Sequence, residues 1–306
     1  MRGRIKSNLR RIGLDVRKAS SARLMDFTES DLDPISAFWR ARGRQFFIRV
    51  PLSDIRHTDL LAFKCDRSNQ SPYLRTLVEY ADGTCTTYAG SWLETVHRHY
   101  HPRSAAELMG IENPSCPELA SAPPSGALLP WNTHSPREQA PLWQSMIVRE
   151  NRKNRGRLGY EAGDKVFGPT SKQKGELECQ RLVRVFESIK SRGYIRNEFG
   201  VDNIGAFILL SDDDMKPKFL CVAGQHRLAA LAALGYEHVD LQIRNNVYGG
   251  IFRRSEARYW APVQAGYLTV DEATALFDRI YRGDPPAGFT RAMSEIASPD
   301  LMASAS

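Results

Sequence analysis

The chain has 306 residues, 42% of them hydrophobic and 25% charged, with a formal net charge of +7. These are the proportions of an ordinary globular protein, long enough for about two domains and for a core that needs neither metals nor disulfides. They exclude a wholly disordered chain, a collagen and a membrane bundle, and no run reaches the ~18–20 apolar residues of a spanning helix.

The charge is concentrated at one end. Residues 1–23 hold eight cations against Asp15 alone, so the remainder is close to neutral, unlike a nucleic-acid binder with a basic folded face. Within this arm Ile5, Leu9, Ile12 and Val16 form a narrow helical stripe among Arg and Lys. Such a helix either meets an anionic membrane surface or acidic partner, or clips onto the protein's own body. No apolar signal-peptide core accompanies it. The expected location is cytoplasmic, with peripheral contact at the inner membrane face through residues 1–23.

Residues 45–50 are rich in aromatic and β-branched types and predict a strand, ended by Pro51. A second strand is expected over 74–80, with Asp82-Gly83 as the turn and 84–88 returning as a hairpin. Residues 92–100 read as a helix. Seven prolines fall within 113–141, so that stretch is expected to be a long loop strapped over the surface, with Trp131 and Trp143 as anchors. A basic run follows at Arg149, Arg152, Lys153, Arg155 and Arg157, either a solvated helix face or an anion contact.

The most regular block comes next. A helix is predicted over 174–192, with Leu182, Val185, Phe186 and Ile189 on one face and Gly193 at its end. Strands are predicted over 206–210 and 218–222. A helix then opens at Gly224-Gln225-His226-Arg227, and a last strand covers 239–243. Thr269 and Glu272 form a capping box ahead of another helix. Residues 246–296 are expected to be a helical extension and 297–306 a disordered tail.

Two places invite chemistry. At Gly224 a glycine lets backbone approach a ligand, and the amides that follow open a helix, where an anion is favoured. His226 and Arg227 add donors, and arginine's fork suits phosphate oxygens. At Ser171 a helix cap precedes Lys174, which is opposed by the dipole unless a phosphate sits there. Glu176 and Glu178 follow as helix-start residues or a general base. Metal sites are less favoured: His97, His99 and His101 lack an H-E-x-x-H arrangement, and Asp212 to Asp214 read as a turn. The five cysteines contain no C-x-x-C pair and read as idle thiols.

The run Phe219-Leu220-Cys221-Val222-Ala223-Gly224-Gln225-His226-Arg227-Leu228-Ala229-Ala230-Leu231 resembles the phosphate-binding motif of the ParB/sulfiredoxin-like superfamily. Residues 182–194 resemble its SIxxxG helix end, and Val50-Pro51-Leu52-Ser53-Asp54-Ile55 its first strand. The resemblance covers 168–245 plus 45–56, under a third of the chain. It implies an α+β fold, a small mixed sheet with helices, formed by 45–56 and 166–245, with 57–165 as a large insertion.

Sulfiredoxins need a cysteine directly before His-Arg, and Gln225 stands there. Partition proteins usually carry a helix-turn-helix DNA reader after this domain, and none is evident after Ile243. The resemblance therefore points to the branch of the free serine kinases, and also to uncharacterised members associated with surface-polysaccharide pathways. It implies a nucleotide-dependent phosphotransferase acting on a small hydroxyl-bearing metabolite, with ATP or ADP and Mg²⁺. Gly224, Gln225, His226, Arg227 and Ser171 would bind the nucleotide, Lys174 would offset phosphoryl charge, and Glu178 would orient the acceptor. The alternative is a nucleotide-binding regulatory module without turnover, contacting nucleic acid through 149–157.

Overall fold

The computed structural model describes residues 23–153, 157–200, 202–213, 216–245 and 249–297. Apart from Arg23 and Ala297, the expected arm and tail lie outside them. Among the described residues no helix is long and apolar enough to cross a membrane.

The architecture is α+β. One mixed sheet contains β1 (Met25–Asp26), β2 (Phe46–Pro51), β3 (Ile55–His57), β4 (Phe63–Lys64), β5 (Gly205–Leu210), β6 (Lys218–Ala223), β7 (His238–Ile243) and β8 (Ile251–Arg253). Its order is β1-β2-β7-β5-β6-β3-β4, with β8 also pairing β5. β5 occupies the middle because its sequence, Gly-Ala-Phe-Ile-Leu-Leu, has no polar alternation, and all of it is buried. An unbroken apolar run suits a strand covered on both faces. The strand is antiparallel to β6 and parallel to β7. Register sets Gly205 between Ala223 of β6 and Gln242 of β7, so the ends of β6 and β7 flank the start of β5.

The helices are α1 (Pro34–Arg40), α2 (Pro72–Ala81), α3 (Trp92–His99), α4 (Ala105–Met109), α5 (Pro117–Ser121), α6 (Pro136–Lys153), α7 (Lys172–Arg192), α8 (Gln225–Ala233), α9 (Ala261–Gln264), α10 (Val270–Arg282) and α11 (Ala287–Ala297). The α7 helix forms as expected, with Leu182, Phe186 and Ile189 buried, Val185 only half-buried, Ser171 capping its start and Gly193 ending it. The Thr269–Glu272 capping box is present on α10.

Two expectations are corrected. The hairpin predicted over 74–88 does not form. Residues 74–80 lie in α2, and 84–88 contain no strand. Tyr73, Leu74 and Leu77 fall on one helical face and are buried, so the 3.6-residue period prevails over β-propensity. The proline-rich stretch is not one irregular strap either. Pro117 opens α5, Pro124 opens a 3₁₀ turn and Pro136 starts the 18-residue α6. Proline costs little at a helix start, where its missing N–H has no partner to lose. A reciprocal Ser135–Glu138 cap stabilises the entry to α6. The anchors are where they were expected: Trp131 stacks on Phe252 at 4.1 Å and meets Trp260 and Phe277 edge-on, and Trp143 donates to Asp164 at 2.8 Å.

Buried apolar residues from Ala37 to Met293 belong to one hydrophobic cluster, so 57–165 and the C-terminal helices share the core of the sheet. Two arginines tie the C-terminal helices down through carbonyls. Arg56 donates to Tyr281 O at 2.8 Å. Arg279 donates to Asp284 O, Leu60 O and Met109 O at 2.9, 2.8 and 3.2 Å, and burial lowers its pKa to about 10. Replacing Arg279 with Met strips donors from three carbonyls, a cost on the order of 3 kcal/mol. At roughly 2–4 °C per kcal/mol, the melting temperature should fall by about 6–12 °C. Arg279→Lys should rescue little, because one ammonium cannot span the three acceptors. Thermal melts followed by circular dichroism test this; a loss under about 2 °C would assign the docking to the Trp131 cluster instead.

Candidate functional site

At the end of β6 the chain turns into α8 through Gly224, whose φ is +80°. A Cβ there would lie 2.9 Å from Ile204 Cα, so left-handed geometry and close packing both require glycine. The turn forms one side of a cleft of about 480 Å³, within the range of small-ligand sites. The opposite wall comes from the region expected to be an insertion: Tyr73 from α2, Met146, Glu150 and Lys153 from α6, and Lys165. Arg181 and Arg184 of α7, Asp202 and Arg244 complete the charged lining. Six cations thus face two carboxylates. Lys165 pairs with Glu150 at 3.2 Å and Arg181 with Glu178 at 2.8 Å. Arg184, Arg227 and Arg244 have no carboxylate partner within ion-pair distance among the described residues, so the cleft favours an anion.

A sealed ion cluster supports the turn. Lys174 Nζ donates to Glu178 Oε1 at 2.5 Å and to Asn151 Oδ1 at 2.6 Å, and neither the Lys174 nor the Glu178 side chain is exposed. Arg181 donates to both oxygens of Glu178 at 2.8 and 3.0 Å. Burial raises the Glu178 pKa, but the cationic form of His226, Arg181 and Lys174 outweigh it and hold the carboxyl at about 2. His226 packs edge-on against Tyr73 at 4.6 Å. Its Nε2 lies 3.5 Å from Glu178 Oε2 without making a hydrogen bond. Burial lowers the imidazole to about 4, against the opposing pull of Glu178, so the ring is neutral at pH 7 and the two fixed cations hold the carboxylate.

The structure brings Gly224, His226 and Arg227 together in the cleft, but it reassigns the other sequence candidates. Lys174 and Glu178 meet each other but do not line the cleft. An unexposed carboxyl with a pKa of about 2 is a poor general base, and Lys174 is spent on Asn151 and Glu178. Ser171 caps α7 through the Lys174 amide at 3.3 Å and does not reach the cleft. Gln225 lies at the turn, yet its side chain staples structure: Oε1 accepts from the Thr58 amide at 2.8 Å, and Nε2 donates to Cys221 O at 2.6 Å.

Of the basic run, Lys153 lines the cleft, Arg149, Arg152 and Arg157 are exposed, and Arg155 lies outside the described residues. The histidine group does not converge. His97 is buried between Tyr88 Oη and Lys165 O, His101 contacts His97 O, and His99 is exposed. Among the described residues no group of three His, Cys, Asp or Glu could hold a metal. Sequence reasoning missed Glu150 within the basic run, Lys165 and Arg244.

A larger cleft of about 670 Å³ lies between 99–112 and α11. It pairs its charges internally, Arg103 with Glu107 at 2.9 Å and Arg291 with Glu112 at 3.6 Å, and so offers an anion much less. No family model, no curated protein and no solved structure matches the chain.

The sealed cluster has a pH signature. Glu178 holds its charge in the folded protein down to about pH 2, whereas an unperturbed carboxyl protonates near 4.5. Its stabilisation is therefore complete above pH 4.5 and is lost as pH falls toward 2. Glu178→Gln leaves a buried ammonium with less compensation, at a cost of about 3–5 kcal/mol at pH 7. Urea melts from pH 7 to pH 3 should show the gap between wild type and variant narrowing below pH 4.5; a gap independent of pH would contradict the assignment.

Proposed function

We propose that this protein is a nucleotide-dependent phosphotransferase that binds nucleotide phosphates at the 224–227 turn and passes a phosphoryl group to a small hydroxyl-bearing metabolite. One observation carries the reading: a cleft with unpaired arginines at a glycine turn and helix N-terminus also contains a partly exposed carboxylate, Glu150. The resemblance of residues 219–231 to a phosphate-binding motif supports the choice of nucleotide. In this reading Arg227 and the first amides of α8 hold phosphate oxygens. Glu150, in place of Glu178, orients the acceptor hydroxyl, with Lys165 beside it. Mg²⁺ commonly uses one or two carboxylates together with substrate phosphates, and Asp202 is the lining carboxylate that suits it. The rate gain would come from positioning and charge stabilisation.

A second reading, a nucleotide-binding module without turnover, is favoured by the sealing of Lys174 and Glu178 away from the cleft. Calorimetry with ATP and Mg²⁺, followed by phosphoryl transfer from radiolabelled ATP to a panel of hydroxylated metabolites, separates the two. Arg227→Ala removes a charged fork worth roughly 1.5–3 kcal/mol and should weaken ATP binding by about one to two orders of magnitude. Glu150→Gln should leave binding nearly intact and lower turnover. Wild-type binding without turnover on any acceptor would favour the module; no binding would end both readings.

A further inference from the structure

Arg244 follows the last residue of β7, and its side chain folds back over the first residue of β5. Its Nε is buried and has no hydrogen-bond partner. No ion pair or other side-chain hydrogen bond engages its guanidinium among the described residues. Burial, the largest effect, lowers its pKa, while Cys221 and, from beyond ion-pair distance, Asp202, which shares the cleft, favour the charged form. A partly buried arginine in this state lacks a counter-charge.

The backbone makes room for it. A Cβ on Gly205 would lie 2.2 Å from Arg244 Nε, 2.9 Å from Cδ and 3.1 Å from Cζ. Glycine at the start of a central strand loses packing and chain entropy, and here its bare Cα is what seats the guanidinium. The same residue pairs with Ala223, directly before the 224–227 turn. Arg244 and that turn therefore rise on either side of one strand, from backbones two strand spacings, about 9–10 Å, apart.

We propose that Arg244 is a second anion-binding position, complementary to the 224–227 turn, and that the cleft takes a ligand with two linked anionic groups: a nucleoside di- or triphosphate rather than a monophosphate. This rests on the phosphate reading of the cleft. The turn and Arg227 take one phosphate, and the Arg244 fork takes the next, which supplies its missing acceptors.

Calorimetry with ATP, ADP, AMP and inorganic phosphate tests the proposal on the wild type and on Arg244→Ala, Arg244→Gln, Arg244→Lys and Gly205→Ala, with thermal melts confirming that each variant is folded. The wild type should prefer ADP over AMP by about tenfold or more. Arg244→Ala and Arg244→Gln should bind AMP as the wild type does and lose most of that preference. Gly205→Ala should do the same, because its methyl occupies the seat of the guanidinium, while Arg244→Lys should recover only part. A wild-type preference for ADP retained in Arg244→Ala, or equal weakening of ADP and AMP, would overturn the second position while leaving the Arg227 site standing. No binding of any of these probes by the wild type would instead bring down the phosphate reading itself.

Discussion

The ammonium of Lys174 is fully buried, and much of the molecule is arranged to make that tolerable. A buried charge needs a partner and satisfied hydrogen bonds. Glu178 supplies the counter-charge one helical turn away, and Asn151 supplies a carbonyl oxygen from α6. The second contact is the consequential one: it fastens the end of α6 to the beginning of α7 and so fixes where the 57–165 region lies against the sheet. Glu178 in turn engages Arg181 and faces His226, so the same cluster reaches the first turn of α8. Loosening it would move the walls of the cleft relative to one another.

Support and contact are thereby divided between different charges. Lys174 and Glu178 are closed to solvent and hold geometry, whereas Arg184, Arg227 and Arg244 are left without carboxylate partners in the cleft. Tyr73 links the two parts. Its ring supports His226, and its hydroxyl donates to the carbonyl of Lys165 at 3.3 Å, whose own side chain pairs with Glu150. The region that reads in sequence as an interruption of a small domain thus supplies the wall that faces the 224–227 turn.

What was legible in the sequence follows from how local each signal is. The α7 helix, the β5–β6 hairpin, the Gly224 turn and the Thr269 capping box are written in consecutive residues, and they appear as expected. The α2 helix is obscured because Val78 and Tyr80 suit strands, although Tyr73, Leu74 and Leu77 keep helical spacing. The start of α6 is obscured because its prolines read as breakers, although Ser135 and Glu138 carry a cap signature. Lys174 and Glu178 stand one helical turn apart in the sequence, but burial converts them from reagents to structure. Gln225 is diverted by Thr58, 167 positions away in sequence. Arg244 has no local signature: its importance depends on Gly205, which only strand register brings beside it.

The central claim is that the 224–227 turn and the α6 wall enclose one phosphate-binding cleft. Hydrogen–deuterium exchange of the full chain, with and without saturating ADP and Mg²⁺, tests it most directly. Protection should rise together at the amides opening α8 and in peptides covering 146–153 and 165, on both sides of the cleft, with little change across 99–112 and 287–296. Protection confined to those latter segments, or none on either wall, would contradict the account.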